Sequence, residues 1–82
     1  MATAEVLIHM QVRYDNKVVE ELKKINGVRN VHVVYGSYDI VAKLEGKDKT
    51  ALENILFLHI RRLHGIRSTS PLIQVADDWP VV

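Results

Sequence analysis

The fold of this chain is decided by the stretch VRNVHVVYGSYDIVAKL, residues 28–44. Val28 to Tyr35 is rich in β-branched side chains, Gly36-Ser37 interrupts the run, and Tyr38 to Leu44 resumes its apolar character. Two short runs of this kind around a glycine-containing turn are typical of a β-hairpin. The stretch therefore predicts two adjacent antiparallel strands in the middle of the chain.

A strand and a helix are predicted before this hairpin. From Glu5 to Arg13 apolar and polar residues alternate, which is typical of a half-buried strand. Asp15 can accept hydrogen bonds from the amides of a first helical turn, and Asn26-Gly27 suits the end of that helix. The apolar residues of the predicted helix lie at helical spacing: Val18, Leu22 and Ile25.

A second helix and a last strand are predicted after the hairpin. Gly46-Lys47-Asp48 closes the hairpin and caps the helix, and Gly65 ends it. Ile66 to Ala76 then supplies the strand. The predicted buried stripe of this helix contains Leu52, Ile55, Leu56 and Leu63, and its last turn contains the basic residues Arg61, Arg62 and His64.

Together these elements follow the order βαββαβ, which predicts an α+β ferredoxin-like sandwich. Right-handed crossovers place both helices on one face of a four-stranded antiparallel sheet. We expect one domain over residues 1–76 and a C-terminal tail over 77–82. His32 and Val34 point away from the helices, so apolar groups occur on both faces of the sheet, and a second subunit would cover the open face.

Composition excludes several classes of function. The 82 residues carry a net charge of +1 without a concentrated basic stripe, which argues against direct DNA binding. The chain has no cysteine, so it offers no thiolate nucleophile and no cysteine-based metal site, and no cofactor is predicted. We find no signal peptide and no apolar run of membrane length, which predicts a cytoplasmic protein without a membrane partner.

No catalytic motif appears in the chain, and an enzyme is not predicted. His59 falls within the apolar stripe of the second helix, which favours a core or interface histidine. His9 and His32 are expected on neighbouring strands of the open face. Three large apolar residues are expected outside the stripe, which favours an additional subunit contact: Phe57, Leu58 and Ile60.

The hairpin turn Gly36-Ser37-Tyr38-Asp39 is the most informative short segment. Glycine and serine are ordinary turn residues. Asp39 is different, because a carboxylate at the mouth of an apolar hairpin must be solvated, paired within the protein or matched to a ligand cation. The residues alone leave these three alternatives open.

Three segments in this order resemble the RAM domain: Gly27-Val28-Arg29-Asn30-Val31, Gly36-Ser37-Tyr38-Asp39-Ile40-Val41 and His64-Gly65-Ile66-Arg67-Ser68-Thr69. The RAM domain is the effector-binding module of the leucine-responsive regulatory protein/AsnC family of feast/famine transcription regulators. The resemblance covers Ala4 to about Val75. Because the chain begins at the first strand, it resembles a RAM domain without its own DNA-binding domain.

The resemblance implies a module that takes part in the transcriptional regulation of amino acid metabolism. It implies an amino acid effector, a homodimer formed sheet against sheet, and assembly into a higher oligomer such as an octamer. Full-length family regulators are further partners that it implies. The ligand would lie between dimers near the hairpin loop.

Carried over position by position, the resemblance implies ligand-binding roles at Gly36, Asp39 and Thr69. Ser37, Tyr38 and Ser70 adjoin these positions and complete the predicted site. Amides around Gly36 would suit a ligand carboxylate, Asp39 its ammonium group, and Thr69 its orientation. The family often has a second hydroxyl where this chain carries Pro71.

Three alternatives remain. An ACT-like regulatory domain has the same element order and binds amino acids, but would pair sheets side by side. A small dimeric α/β-barrel enzyme would use His9, His32 or His59 in a closed cavity. An RNA-binding module ranks last, because Val33 and Tyr35 alone do not make the aromatic platform that stacks bases.

Overall fold

The predicted element order is confirmed by a computed structural model, which describes residues 1–12 and 15–74. The elements are β1 (Ala2–Met10), α1 (Asn16–Lys24), β2 (Val28–Val33), β3 (Ile40–Gly46), α2 (Lys49–Asn54), a π-helical segment (Ile55–Ile60) and β4 (Ile66–Ile73). The strands of the hairpin are shorter at its turn than predicted. The predicted end of the last strand at Ala76 and the predicted tail 77–82 lie outside the described residues.

The four strands form one antiparallel sheet in the order β2-β3-β1-β4. Ile8 at the centre of the sheet pairs with Ile40 of β3 and with Thr69 of β4. Even-numbered residues of β1 face the helices, and they pack with side chains of both helices in one core. Its fully buried members include Val6, Ile8, Val18, Leu22, Ile40, Leu44, Leu52 and Ile60.

Both helices begin where the sequence predicts. The Asp15 side chain accepts a hydrogen bond of 3.0 Å from the Lys17 backbone N–H, and the Asp48 side chain accepts one of 2.9 Å from the Ala51 N–H. Each aspartate thus satisfies an amide that has no partner within its helix. The chain leaves α1 through Gly27, whose positive φ of 99° favours glycine.

The second helix departs from prediction in its second half. The Arg61 N–H donates to the Leu56 carbonyl at 2.9 Å, a five-residue step that makes residues 55–60 a π-helix. This wider turn places Ile60 fully in the core and His59 at the surface. Of the two alternatives predicted for His59, the core position is therefore wrong and the interface position stays a prediction, and the prediction that Ile60 lies outside the buried stripe is wrong. The helix also ends at Ile60, earlier than the predicted Gly65.

The face of the sheet opposite the helices carries a mixture of apolar and polar side chains. Leu7 and Val41 pair at its centre, and Leu72 lies beside them with 57% of its surface exposed. His9 and His32 share this face, but β3 separates their strands, so the prediction that those strands are neighbours is wrong. This face also carries polar and charged side chains, among them Thr3, Glu5, Lys43, Glu45, Ser68 and Ser70.

Within residues 1–12 and 15–74, no helix has the length and apolar character needed to cross a membrane.

Candidate functional site

The hairpin loop presents its tip to solvent. Gly36 and Ser37 are exposed, and the backbone at Gly36 has a positive φ of 154°. Apart from its neighbours in the sequence, a Cβ built at Gly36 would meet no atom of residues 1–12 and 15–74 within 4 Å. The tip is therefore open to an approaching molecule. Glycine is favoured at position 36 by its positive φ, and a larger side chain would not be excluded by neighbouring atoms.

Tyr38 ties this loop to the sheet. Its half-buried ring packs against the ring of His9, with ring centres 4.5 Å apart and planes tilted by 34°. Aromatic pairs prefer offset or tilted arrangements at this separation. The contact therefore joins the loop to the open face of β1.

Asp39 is buried, with 7% of its surface exposed. Its Oδ2 accepts a hydrogen bond of 2.9 Å from the Met10 backbone N–H. Its own backbone N–H donates to the Ile8 carbonyl at 3.0 Å, and its carbonyl accepts from the Val34 N–H at 2.9 Å. Of the three alternatives that the sequence left open, pairing within the protein is thus realised for the Asp39 carboxylate.

Thr69 and Ser70 are neighbours in β4 but face opposite sides of the sheet. Thr69 pairs with Ile8 on the helix side, and Ser70 pairs with Leu7 on the open face. Two strand spacings of about 4.8 Å separate β4 from β3, so Thr69 lies roughly 10 Å across the sheet from the hairpin. The six predicted site residues lie at or near one end of the sheet, but they do not line one pocket of a single chain.

Two arginines that the sequence analysis did not select lie next to Thr69. The Arg61 Nε–H donates to Thr69 Oγ1 at 3.0 Å, and the guanidinium carbon lies 4.6 Å from the centre of the Phe57 ring. Arg67 shares with them an open cleft of about 320 Å³, completed by Ile66 and Ser68. From its place in the sequence Arg61 is predicted at the helix end, but the stretch between Glu53 and Asp77 contains no acidic residue, and this absence indicates unpaired positive charge there.

No three side chains of histidine, aspartate or glutamate cluster closely enough to hold a metal ion in the part of the chain that the structure describes. The described side chains at this end of the sheet offer hydrogen-bond donors, the buried carboxylate of Asp39 and the guanidinium groups of Arg61 and Arg67.

Comparison with solved structures supports the same fold. A protein of Thermus thermophilus is 31% identical over 99% of this chain and 100% of its own, with a TM-score of 0.83. A hypothetical protein of Pyrococcus horikoshii is 29% identical over 95% of this chain and 94% of its own, with a TM-score of 0.84. Escherichia coli AsnC shares the fold with a TM-score of 0.86 at 21% identity, and the chain covers 55% of it.

Among curated proteins, the homocitrate synthase of Saccharolobus islandicus is 41% identical over 56 residues. The matched segment is 68% of this chain but only 12% of the enzyme's length. The similarity is thus confined to a small part of a much larger protein.

The family model described as the Lrp/AsnC ligand binding domain matches residues 3–75, which include both helices, the hairpin loop and all four strands except the first residue of β1. The chain therefore belongs to the Lrp/AsnC ligand binding domain family.

Proposed function

We propose that this chain binds an amino acid and, through its assembly with other subunits, takes part in the transcriptional regulation of amino acid metabolism. The match of residues 3–75 to a ligand-binding family is the observation that carries the proposal. A transcriptional regulator of Neisseria meningitidis, solved as a complex with L-Met, shares the fold at 13% identity with a TM-score of 0.76. That complex supports an amino acid as the class of ligand.

The proposed site uses the two charges that every free amino acid carries. Backbone amides at Gly36 and Ser37 would hold the ligand carboxylate, and Asp39 would hold the ammonium group. The Asp39 carboxylate accepts from the Met10 N–H, and because a carboxylate has about four lone-pair sites it can accept from several donors at once. The Tyr38 ring would form one side of the site, since it is held in place by its contact with the His9 ring.

A second subunit completes this proposed site. Thr69 and Ser70 face opposite sides of the sheet, so one ligand contacts the loop and both hydroxyls only where subunits meet. The apolar side chains of the open face, Leu7 and Val41 at its centre, support a homodimer formed face to face. Further assembly of dimers into a ring such as an octamer would juxtapose their loops, and full-length family regulators could supply partner subunits of the same shape.

A thermal-shift screen against the twenty amino acids tests the proposal, because a ligand that binds only the folded state raises the melting temperature. Asp39→Asn keeps the shape of the side chain and removes its charge. We expect the variant to fold and assemble while its affinity falls about ten- to a hundredfold, the scale of a hydrogen bond to a charged group.

Asp48→Asn is the matched control, because it removes the same charge from a helix cap where asparagine serves equally well. It should leave the affinity unchanged. Absence of a shift with every amino acid, or unchanged calorimetric affinity in Asp39→Asn, would refute this assignment.

A second candidate is an allosteric domain that controls an enzyme, the role of an ACT-like domain. The observation that favours it is the 41% identity with a segment of homocitrate synthase. The face used by the dimer separates it from the first proposal, since ACT-like domains would join sheets edge to edge. By contrast, His59 is exposed, and His9 and His32 lie on the open face, so their positions do not favour a histidine enzyme with a closed cavity.

A further inference from the structure

Positive charge is concentrated at the end of the π-helical segment and the start of β4. Arg61, Arg62 and Arg67 lie in a stretch from residue 54 to residue 76 that contains no aspartate or glutamate. None of these three arginines forms an ion pair in residues 1–12 and 15–74, whereas Arg29 lies 3.5 Å from Glu45. These guanidinium groups are therefore without a counter-ion supplied by the described chain.

Arg61 is held in place by two neighbours. Its Nε–H donates to Thr69 Oγ1, and its guanidinium group lies over the Phe57 ring. A guanidinium carries five N–H groups, so four remain available to a ligand. Because the stacked and hydrogen-bonded side chain is already ordered, little conformational entropy is lost when it binds an anion.

Arg67 is placed by a β-bulge. Met10 pairs with Ile66 and His9 pairs with Ser68, so Arg67 is an extra residue in β4 that has no partner in β1. Bulges of this kind redirect a side chain and are frequent next to functional sites. Here the bulge brings Arg67 into the same cleft as Arg61.

The cleft combines two guanidinium groups with the hydroxyl of Thr69. Its lining consists of Arg61, Ile66, Arg67, Ser68 and Thr69, and its volume of about 320 Å³ is large enough for a small molecule. Guanidinium forks match the planar geometry of carboxylate and phosphate oxygens, and the Thr69 hydroxyl adds a further donor. Among the described residues, no carboxylate lines the cleft to repel an anion.

We propose that this cleft is an oxyanion site for the carboxylate or phosphate group of a small molecule. The proposal assigns Arg61 and Arg67, which the amino-acid site does not use, and it rests on the proposed function only through Thr69, which both sites share. A nucleic acid is disfavoured as the occupant, because tight binding at physiological salt draws on many phosphate contacts and this cleft supplies two arginines.

Calorimetric titration in a Tris-chloride buffer, with inorganic phosphate, L-glutamate and L-glutamine as separate probes, tests the proposal. We expect phosphate or glutamate to bind. Glutamate that binds while its neutral isostere glutamine does not would identify a ligand side-chain carboxylate as the anion. Binding of phosphate alone would identify a phosphate group.

Arg67→Ala and Arg62→Ala are the matched variants, since both remove one positive charge and only Arg67 lines the cleft. Arg67→Ala should lower the anion affinity about ten- to a hundredfold, and Arg62→Ala by less than about twofold. Thr69→Val should also weaken anion binding, because it removes the hydroxyl that accepts the hydrogen bond from Arg61. Thr69→Ser keeps that hydroxyl and should bind the anion as the unmodified protein does.

Equal losses in Arg62→Ala and Arg67→Ala would overturn the proposal in favour of a diffuse charge effect. Binding of duplex DNA at physiological salt, with an affinity that falls equally in Arg62→Ala and Arg67→Ala, would overturn it in favour of a nucleic-acid surface. No binding of phosphate or glutamate at millimolar concentration would also refute it. If the oxyanion site fails in this way, a neutral amino acid that still binds, and whose affinity falls in Asp39→Asn, would show that the proposed amino acid site is correct.

Discussion

Asp39 and Met10 are joined by a 2.9 Å hydrogen bond between the start of β3 and the end of β1. Met10 is also the residue at which the register between β1 and β4 changes, and Arg67 is bulged out opposite it. One side chain of the hairpin loop therefore fixes the strand end against which the arginine cleft is built. We therefore expect loss of the Asp39 hydrogen bond to alter the geometry of both proposed sites.

Asp39→Ala should lower the free energy of unfolding by about 1–3 kcal/mol, because it leaves the Met10 amide without its acceptor. Urea denaturation measures the loss. Asp39→Asn retains an acceptor oxygen and should lose less. Full stability in the alanine variant would show that the hydrogen bond does not support the fold.

Ile60→Ala should destabilise the chain by about 2–5 kcal/mol, because Ile60 is completely buried in the core. His59→Ala is the control, since a regular α-helix would exchange the exposure of these two positions. The exposed His59 should tolerate the change within about 0.5 kcal/mol. The reverse order of the two losses in urea would contradict the π-helical turn.

Gly27→Ala should cost about 2–4 kcal/mol, for two reasons. The position has a positive φ of 99°, and a Cβ there would collide with Ile55 Cδ1 and lie 3.1 Å from the Glu45 carbonyl oxygen. Gly36→Ala has open space around its Cβ and should cost only the backbone strain of about 1–2 kcal/mol. Thermal unfolding of both variants measures the difference, and equal losses would rule out the steric contribution.

Light scattering at micromolar concentration should show at least a dimer. Leu7→Lys places a charge at the centre of the open face and should yield monomers that remain folded by circular dichroism. Leu58→Lys changes an exposed helical position, 48% accessible, and should leave dimers intact while it disrupts larger assemblies. Intact dimers in Leu7→Lys would instead favour the edge-to-edge pairing of an ACT-like domain.

Fluorescence anisotropy with duplex DNA should show binding that is weak at low salt and lost at physiological salt. Tight DNA binding draws on the release of counter-ions from DNA phosphates that protein cations neutralise, and a chain with a net charge of +1 can release few of them. Tight binding to one duplex sequence at physiological salt would contradict this expectation.

Most of the fold could be predicted because local patterns and tertiary packing agree. The alternation from Val6 to Met10 matches the buried face of β1, and Asp15 and Asp48 cap the helices that the apolar spacing predicts. In each case the residue type is dictated by its nearest neighbours along the chain. The strand ends at the hairpin were less exact, because Val34 and Tyr35 have strand-like composition but lie beyond β2.

The site was harder to predict because it depends on register. A π turn and a β-bulge each add one residue to a regular element without changing its composition, so no pattern reveals them. The π turn places Ile60 instead of His59 in the core. The bulge brings Arg67 into the same cleft as Arg61. The hydrogen bond between Asp39 and Met10 spans 29 residues, a distance over which spacing carries no information.

Pro71 lies within β4, an edge strand of the sheet, where it pairs with Val6. A proline has no N–H to donate, so an incoming strand cannot complete a continuous ladder along this edge. Pro71 thus opposes open-ended strand addition at the β4 edge of the sheet. The opposite edge of the sheet is β2, which contains no proline, so edge-to-edge pairing is opposed at one edge of the sheet and not at the other.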